Sequence, residues 1–149
     1  MNEELLAYAI LSDSGFDTKQ IFEERVNQLF LENPEIDKDL LEMECLSVPD
    51  AIIYLRQHFN YQTMNPESLQ NYLILTLKAF YLELPFMEFA QKIADIWDIL
   101  PFHTSQEDSP FYRAYDFWNL FISKEFDLLK QSIEELVFYY DRKNSPLKE

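Results

Sequence analysis

YLILTLKAFYLELPFMEFAQKIADIWDIL, running from Tyr72 to Leu100, lies without a gap on YRAYDFWNLFISKEFDLLKQSIEELVFYY, running from Tyr112 to Tyr140, when it is slid forward by forty positions. Four positions become identities: Tyr72 with Tyr112, Phe86 with Phe126, Gln91 with Gln131 and Ile93 with Ile133. Large apolar residues also meet at Leu77 and Phe117, Phe80 and Leu120, Phe89 and Leu129, and Ile96 and Leu136. The matches recur at helical spacing, as expected if each copy presents the same buried face to a neighbour. Each copy therefore reads as a helical hairpin, a leading helix and a return helix joined by a tight turn. In the first copy Leu73, Leu77, Phe80 and Leu84 form the leading face, Pro85 ends it, and Phe86, Phe89, Ile93, Ile96 and Leu100 line the return.

Working outward, Asn65-Pro66 starts the first hairpin and Pro101 stops it, while Ser109-Pro110 starts the second. The duplicated hairpins span residues 66–101 and 109–141, and the charged tail 142–149 is expected to fray. Upstream, residues 1–33 read as an earlier hairpin. Its first helix has Asn2 as N-cap and Leu5, Leu6, Ala9 and Ile10 on one side. The break at SDSGFD, with Gly15 free to take positive φ, precedes a second helix capped by Asp17 or Thr18. That helix carries Ile21, Phe22, Val26, Leu29 and Phe30 and stops at Asn33-Pro34. Residues 37–60 form a helix pair, with Leu40, Leu41 and Leu46 turned inward, Ser47-Val48-Pro49 as the restart, and Ile52, Ile53, Leu55 and Phe59 buried.

Composition supports an all-α chain. One glycine in 149 residues and many Leu, Phe, Ile and Glu leave little alternating strand pattern, and a lone glycine excludes a glycine-rich phosphate loop. The length suits a single domain able to bury roughly 68–70% of the surface its unfolded chain exposes. A lone Cys45 has no disulfide partner, is expected to be buried and suits a reducing compartment, and no apolar run is long enough to span a bilayer. A cytoplasmic location follows as the expectation, without a membrane role.

A formal charge of −15, from 27 acidic and 12 basic side chains without a basic cluster, argues against direct nucleic-acid binding and favours a cationic or apolar partner. Neither metal nor cofactor is expected. His58 and His103 read as surface side chains. The pairs Asp95/Asp98 and Glu134/Glu135 read as solvated faces without a histidine at di-iron spacing. Nothing assembles a nucleophile, so the chain is expected not to be an enzyme.

A helix pair of this length cannot cover its own apolar side, so successive pairs are expected to stack as antiparallel hairpins into a short right-handed α-solenoid. Each unit resembles a degenerate tetratricopeptide repeat, with the turn aromatic at Phe86 and Phe126 and a closing proline at Pro101. Where that repeat carries small residues this chain has Phe89, Ile96, Leu129 and Leu136. Residues 69–144 also resemble, in the order and spacing of their apolar helices, turns and polar loop, the C-terminal sensor region of Rgg/MutR-type transcriptional regulators. That resemblance implies a short signalling peptide bound on a concave face, homodimerisation, and a sensor that here lacks a DNA-binding domain. On the inner curve of such a stack the peptide-contacting positions would be Asn71, Ile74, Lys78 and Tyr81 in the first copy. Phe111, Ala114, Trp118 and Phe121 would serve in the second, although Trp118 and Phe121 equally fit a core between hairpins. The alternative from size and charge is an acidic immunity or inhibitor protein that neutralises a basic toxin or nuclease.

Overall fold

The computed structural model describes residues 2–32, 37–102 and 109–143. The expected stop at Asn33-Pro34, His103 and the tail from 144 onward lie outside them. All regular structure among the described residues is helical, in two compact units, residues 1–73 and 74–149.

The first unit holds α1 (Glu3–Asp13), α2 (Lys19–Glu32), α3 (Lys38–Glu44), α4 (Val48–His58) and the opening turns of α5 (Pro66–Glu83). Local caps place these starts. Asn2 accepts from the Leu5 amide at 2.9 Å, Asp37 from Asp39 and Leu40, Ser47 from Asp50, and Asn65 from Ser68. Helix α1 is the centre, since every side chain from Leu5 to Leu11 is buried. The one-sided α1 expected from the sequence is corrected by this: Ala7, Tyr8 and Leu11 also face neighbours, because α2 and α4 both pack on it.

Thr18, one of the two expected caps of α2, is wholly buried and donates its hydroxyl across to the Tyr8 carbonyl at 2.6 Å. Thr18 stands immediately before α2, its carbonyl accepting from the Phe22 amide at 2.9 Å, so the hydroxyl's donation to Tyr8 is added to its place at the helix start. Cys45 is exposed rather than buried, because it is the C-cap residue at the end of α3. Ile21, Leu41 and Ile53, expected inside, are exposed as well. His58 is exposed at the end of α4, with Nδ1 2.9 Å from the Tyr54 carbonyl and its ring stacked on Tyr54.

The second unit holds the rest of α5, then α6 (Phe86–Ile93), α7 (Ile96–Ile99), a 3-10 helix (Tyr112–Asp116), α8 (Phe117–Ile122), α9 (Phe126–Val137) and α10 (Tyr139–Lys143). The forty-residue repetition persists in burial. Leu77 and Phe117, Phe89 and Leu129, Ile93 and Ile133, and Ile96 and Leu136 are all buried, pair by pair. The two copies nevertheless differ in backbone. Where the first has an unbroken leading helix, the second has a 3-10 turn followed by the short α8. Pro110 stands forty positions after Gln70 and, as a first-turn residue, suits the start of this segment where the first copy is already in mid-helix. On the return side α6 yields to α7 at Ala94-Asp95, whereas α9 runs for twelve residues.

The turns differ too. Pro85 opens α6, while α8 closes on Lys124 at φ 60°, with the Glu125 amide donating to the Leu120 carbonyl at 3.0 Å. This is the closure that ends α1, where Gly15 at φ 103° is followed by Phe16 donating to Leu11 at 2.9 Å.

Candidate functional site

Two buried stripes fix the orientation of the second leading segment. Phe111, Ala114, Phe117 and Leu120 recur every three residues and are all buried, so this edge of the 3-10 helix and α8 faces α9 and α6. One residue further along, Tyr115, Trp118 and Ile122 follow at spacings of three and four, and they are 53%, 48% and 55% exposed. Their side chains share one face of a continuous helical path. Tyr115 is braced at its edge by Trp97 of α7 and by Tyr112, with ring centroids 5.9 and 6.0 Å away. An aromatic-rich strip of this kind offers broad apolar area with little side-chain entropy to lose on binding.

Each expected contact residue can be placed. Ile74, Phe111 and Ala114 are buried to 1%, 0% and 1%, so their side chains serve packing and are not presented for contact. Asn71 is exposed on the first-unit part of α5. Lys78 and Tyr81 are half-buried and engaged by the chain itself: Lys78 Nζ lies 2.6 Å from Asp141, and Tyr81 Oη donates to Glu134 at 2.8 Å. Phe121 is half-buried with its ring against Phe126, 6.3 Å between centroids. Trp118 alone of the second set stands out in solvent. The forty-residue equivalence therefore holds for Ile74 with Ala114 and for Tyr81 with Phe121, and fails for the other two pairs.

Tyr115 and Ile122, which continue the strip from Trp118, were not among the expected contacts. Their spacing from Trp118 was visible in the sequence, but which of two adjacent apolar stripes faces inward depends on where α6 and α9 lie.

The polar groups near the strip are largely paired among themselves. Arg113 Nε is 3.4 Å from Glu135, and Ser123 donates to Glu125 at 2.8 Å. Burial, a hydrogen bond to Glu134 and the nearby Glu134 charge push the Tyr81 hydroxyl up to about 12. Asp95 and Asp98 are exposed, and Glu134 and Glu135 are each taken by a partner. Among the described residues no group of three or more His, Cys, Asp or Glu is placed to hold a metal ion, and no helix is long and apolar enough to cross a membrane.

Comparisons with protein-family models, with curated proteins and with solved structures find no match to this chain.

Proposed function

We propose that the chain is a non-enzymatic helical domain that binds a peptide or an extended protein segment on the Tyr115–Trp118–Ile122 strip. The observation that carries this is the exposure, 48–55%, of three large apolar side chains at helical spacing. Scattered single apolar residues on a surface are ordinary, whereas a contiguous strip with a tryptophan near its middle has the composition of an interface centre. The partner's contribution would be apolar anchors, and a basic flank would suit a chain of charge −15. The finer form of the proposal is a ligand sensor of Rgg/MutR type built from tetratricopeptide-like hairpins stacked as a solenoid. The forty-residue repetition and its matching burial support that form.

A second reading, an acidic inhibitor of a basic toxin or nuclease, is favoured by charge placement. Fourteen of the 27 acidic side chains but only four of the 12 basic ones fall in residues 1–73.

Panning a library of random displayed dodecapeptides tests the strip. Selection on the wild-type chain, with counter-selection on Trp118→Ala and Ile122→Ser, should enrich peptides with two or more apolar anchors. No enrichment, or peptides that bind the variants equally well, would contradict the proposal. Binding to a basic nuclease that collapses with salt and ignores both substitutions would favour the inhibitor instead.

A further inference from the structure

Tyr115 in the 3-10 helix meets two further rings at steep angles: Trp97 of α7 at 68° and Tyr112 at 64° between planes, with centroids 5.9 and 6.0 Å away. Rings this close at such angles are in direct contact, so no interior is left between them for a spherical ion. What stays open is ring surface, chiefly that of Tyr115, which is 53% exposed while Trp97 and Tyr112 are half-buried.

The charges beside these rings are negative and unneutralised. Asp98 follows Trp97 and Asp116 follows Tyr115, the first exposed and the second half-buried, and neither side chain has a hydrogen bond or ion pair among the described residues. Arg113, the basic residue beside Tyr112, is directed to Glu135, with Nε 3.4 Å from the carboxylate. The ammonium groups that do lie over rings, Lys78 on Phe138 and Lys143 on Tyr139, are placed elsewhere. An aromatic face carries negative potential, and carboxylates nearby on a chain of charge −15 deepen it.

We infer that the segment bound on the strip places an arginine here, its guanidinium laid flat on the exposed face of Tyr115, with Asp98 and Asp116 as countercharges. The inference rests on the strip being a docking face and adds the cation its partner must carry. Shape selects the guanidinium. It is planar and weakly hydrated and stacks on a single open ring, whereas a quaternary ammonium is gripped by rings standing apart around it and a lysine ammonium holds its water more strongly.

The test is amide-resolved NMR titration of the whole chain with Nα-acetyl-arginine amide, with its neutral isostere Nα-acetyl-citrulline amide, and with Nα-acetyl-lysine amide. Salt of about 0.3 M screens the general negative field. Saturable shifts are expected on residues 97–98 and 112–118, with arginine amide bound about fivefold or more tightly than either of the others. Tyr115→Leu should erase that preference, Tyr115→Phe should keep it because the ring remains, and Glu42→Gln, which removes an exposed acid from α3, should leave it intact. Shifts that fail to saturate or spread over the acidic surface, arginine bound no better than citrulline or lysine, or a preference surviving Tyr115→Leu would overturn the inference. If any of these is found while displayed dodecapeptides still enrich on the wild-type chain over Trp118→Ala, the arginine falls and the strip stands. Dodecapeptides that fail as well would remove the strip itself.

Discussion

Tyr81 donates a hydrogen bond of 2.8 Å to Glu134, fifty-three residues later, and so ties the leading helix of the first hairpin to the return helix of the second. The same contact is reinforced by the Tyr81 ring, edge-on to Phe89 and Phe138, and by Lys78, whose ammonium reaches Asp141 and lies 5.9 Å from the Phe138 ring centroid. The hairpin copies are thus joined by specific polar and aromatic contacts as well as by apolar burial.

Tyr81→Phe should cost about 1 kcal/mol, because a half-buried carboxylate loses its donor while the ring packing stays. The pH dependence follows from the raised hydroxyl. Its contribution is complete below pH 10, where the unfolded tyrosine is still neutral, and is lost as the pH climbs from 10 towards about 12. A tyrosinate difference titration, wild type minus Tyr81→Phe, should therefore show the missing step near pH 12. A step near 10 would mean that the bond to Glu134 does not form.

The two glycine-type closures give opposite outcomes. Gly15→Ala forces a side chain into positive φ and should destabilise by about 1 kcal/mol. Lys124→Gly removes the same strain but frees the unfolded chain, so a gain of about 0.5 kcal/mol is expected. Urea unfolding at fixed m-value measures both.

Much of the fold was legible where the determining interactions are local. The caps at Asn2, Ser47 and Asn65, the break at Gly15 and the turn at Pro85 each depend on residues within a few positions of one another. Legibility failed where a distant partner decides. Ala7 and Leu11 answer to packing on both sides of α1, and Lys78 and Tyr81 to α9 and α10. The second leading segment is a different case: the apolar match across the forty-residue shift carries the buried face, and the 3-10 turn at Tyr112–Asp116 leaves no mark in that pattern. At the candidate site the sequence offers Trp118 as one of eight contact positions, and as a core residue just as readily, and it does not mark Tyr115 and Ile122. Two apolar stripes one residue apart look alike until a neighbouring helix covers one of them.

Thr18→Val keeps the side-chain volume and deletes the hydroxyl that reaches the Tyr8 carbonyl at 2.6 Å. A loss of about 1–2 kcal/mol is expected, since both ends are buried. Thermal unfolding should register it as a drop of several degrees in Tm.

Phe117 and Trp118 are adjacent aromatics with opposite surroundings, 0% and 48% exposed. Phe117→Ala should cost about 3–5 kcal/mol through the cavity it leaves, and its counterpart in the first copy, Leu77→Ala, about 2–5 kcal/mol. Trp118→Ala should stay within about 0.5 kcal/mol of the wild type. Chemical denaturation of the three variants orders them directly.

The most direct measurement pairs stability with binding in one variant. A peptide selected on the wild-type chain is titrated against Trp118→Ala by calorimetry, beside the urea unfolding curve of the same preparation. Unchanged unfolding with affinity reduced about tenfold or more is the predicted result, as for an aromatic anchor at the centre of an interface. Unfolding that collapses as for Phe117→Ala, or affinity equal to the wild type, would contradict recognition on this strip.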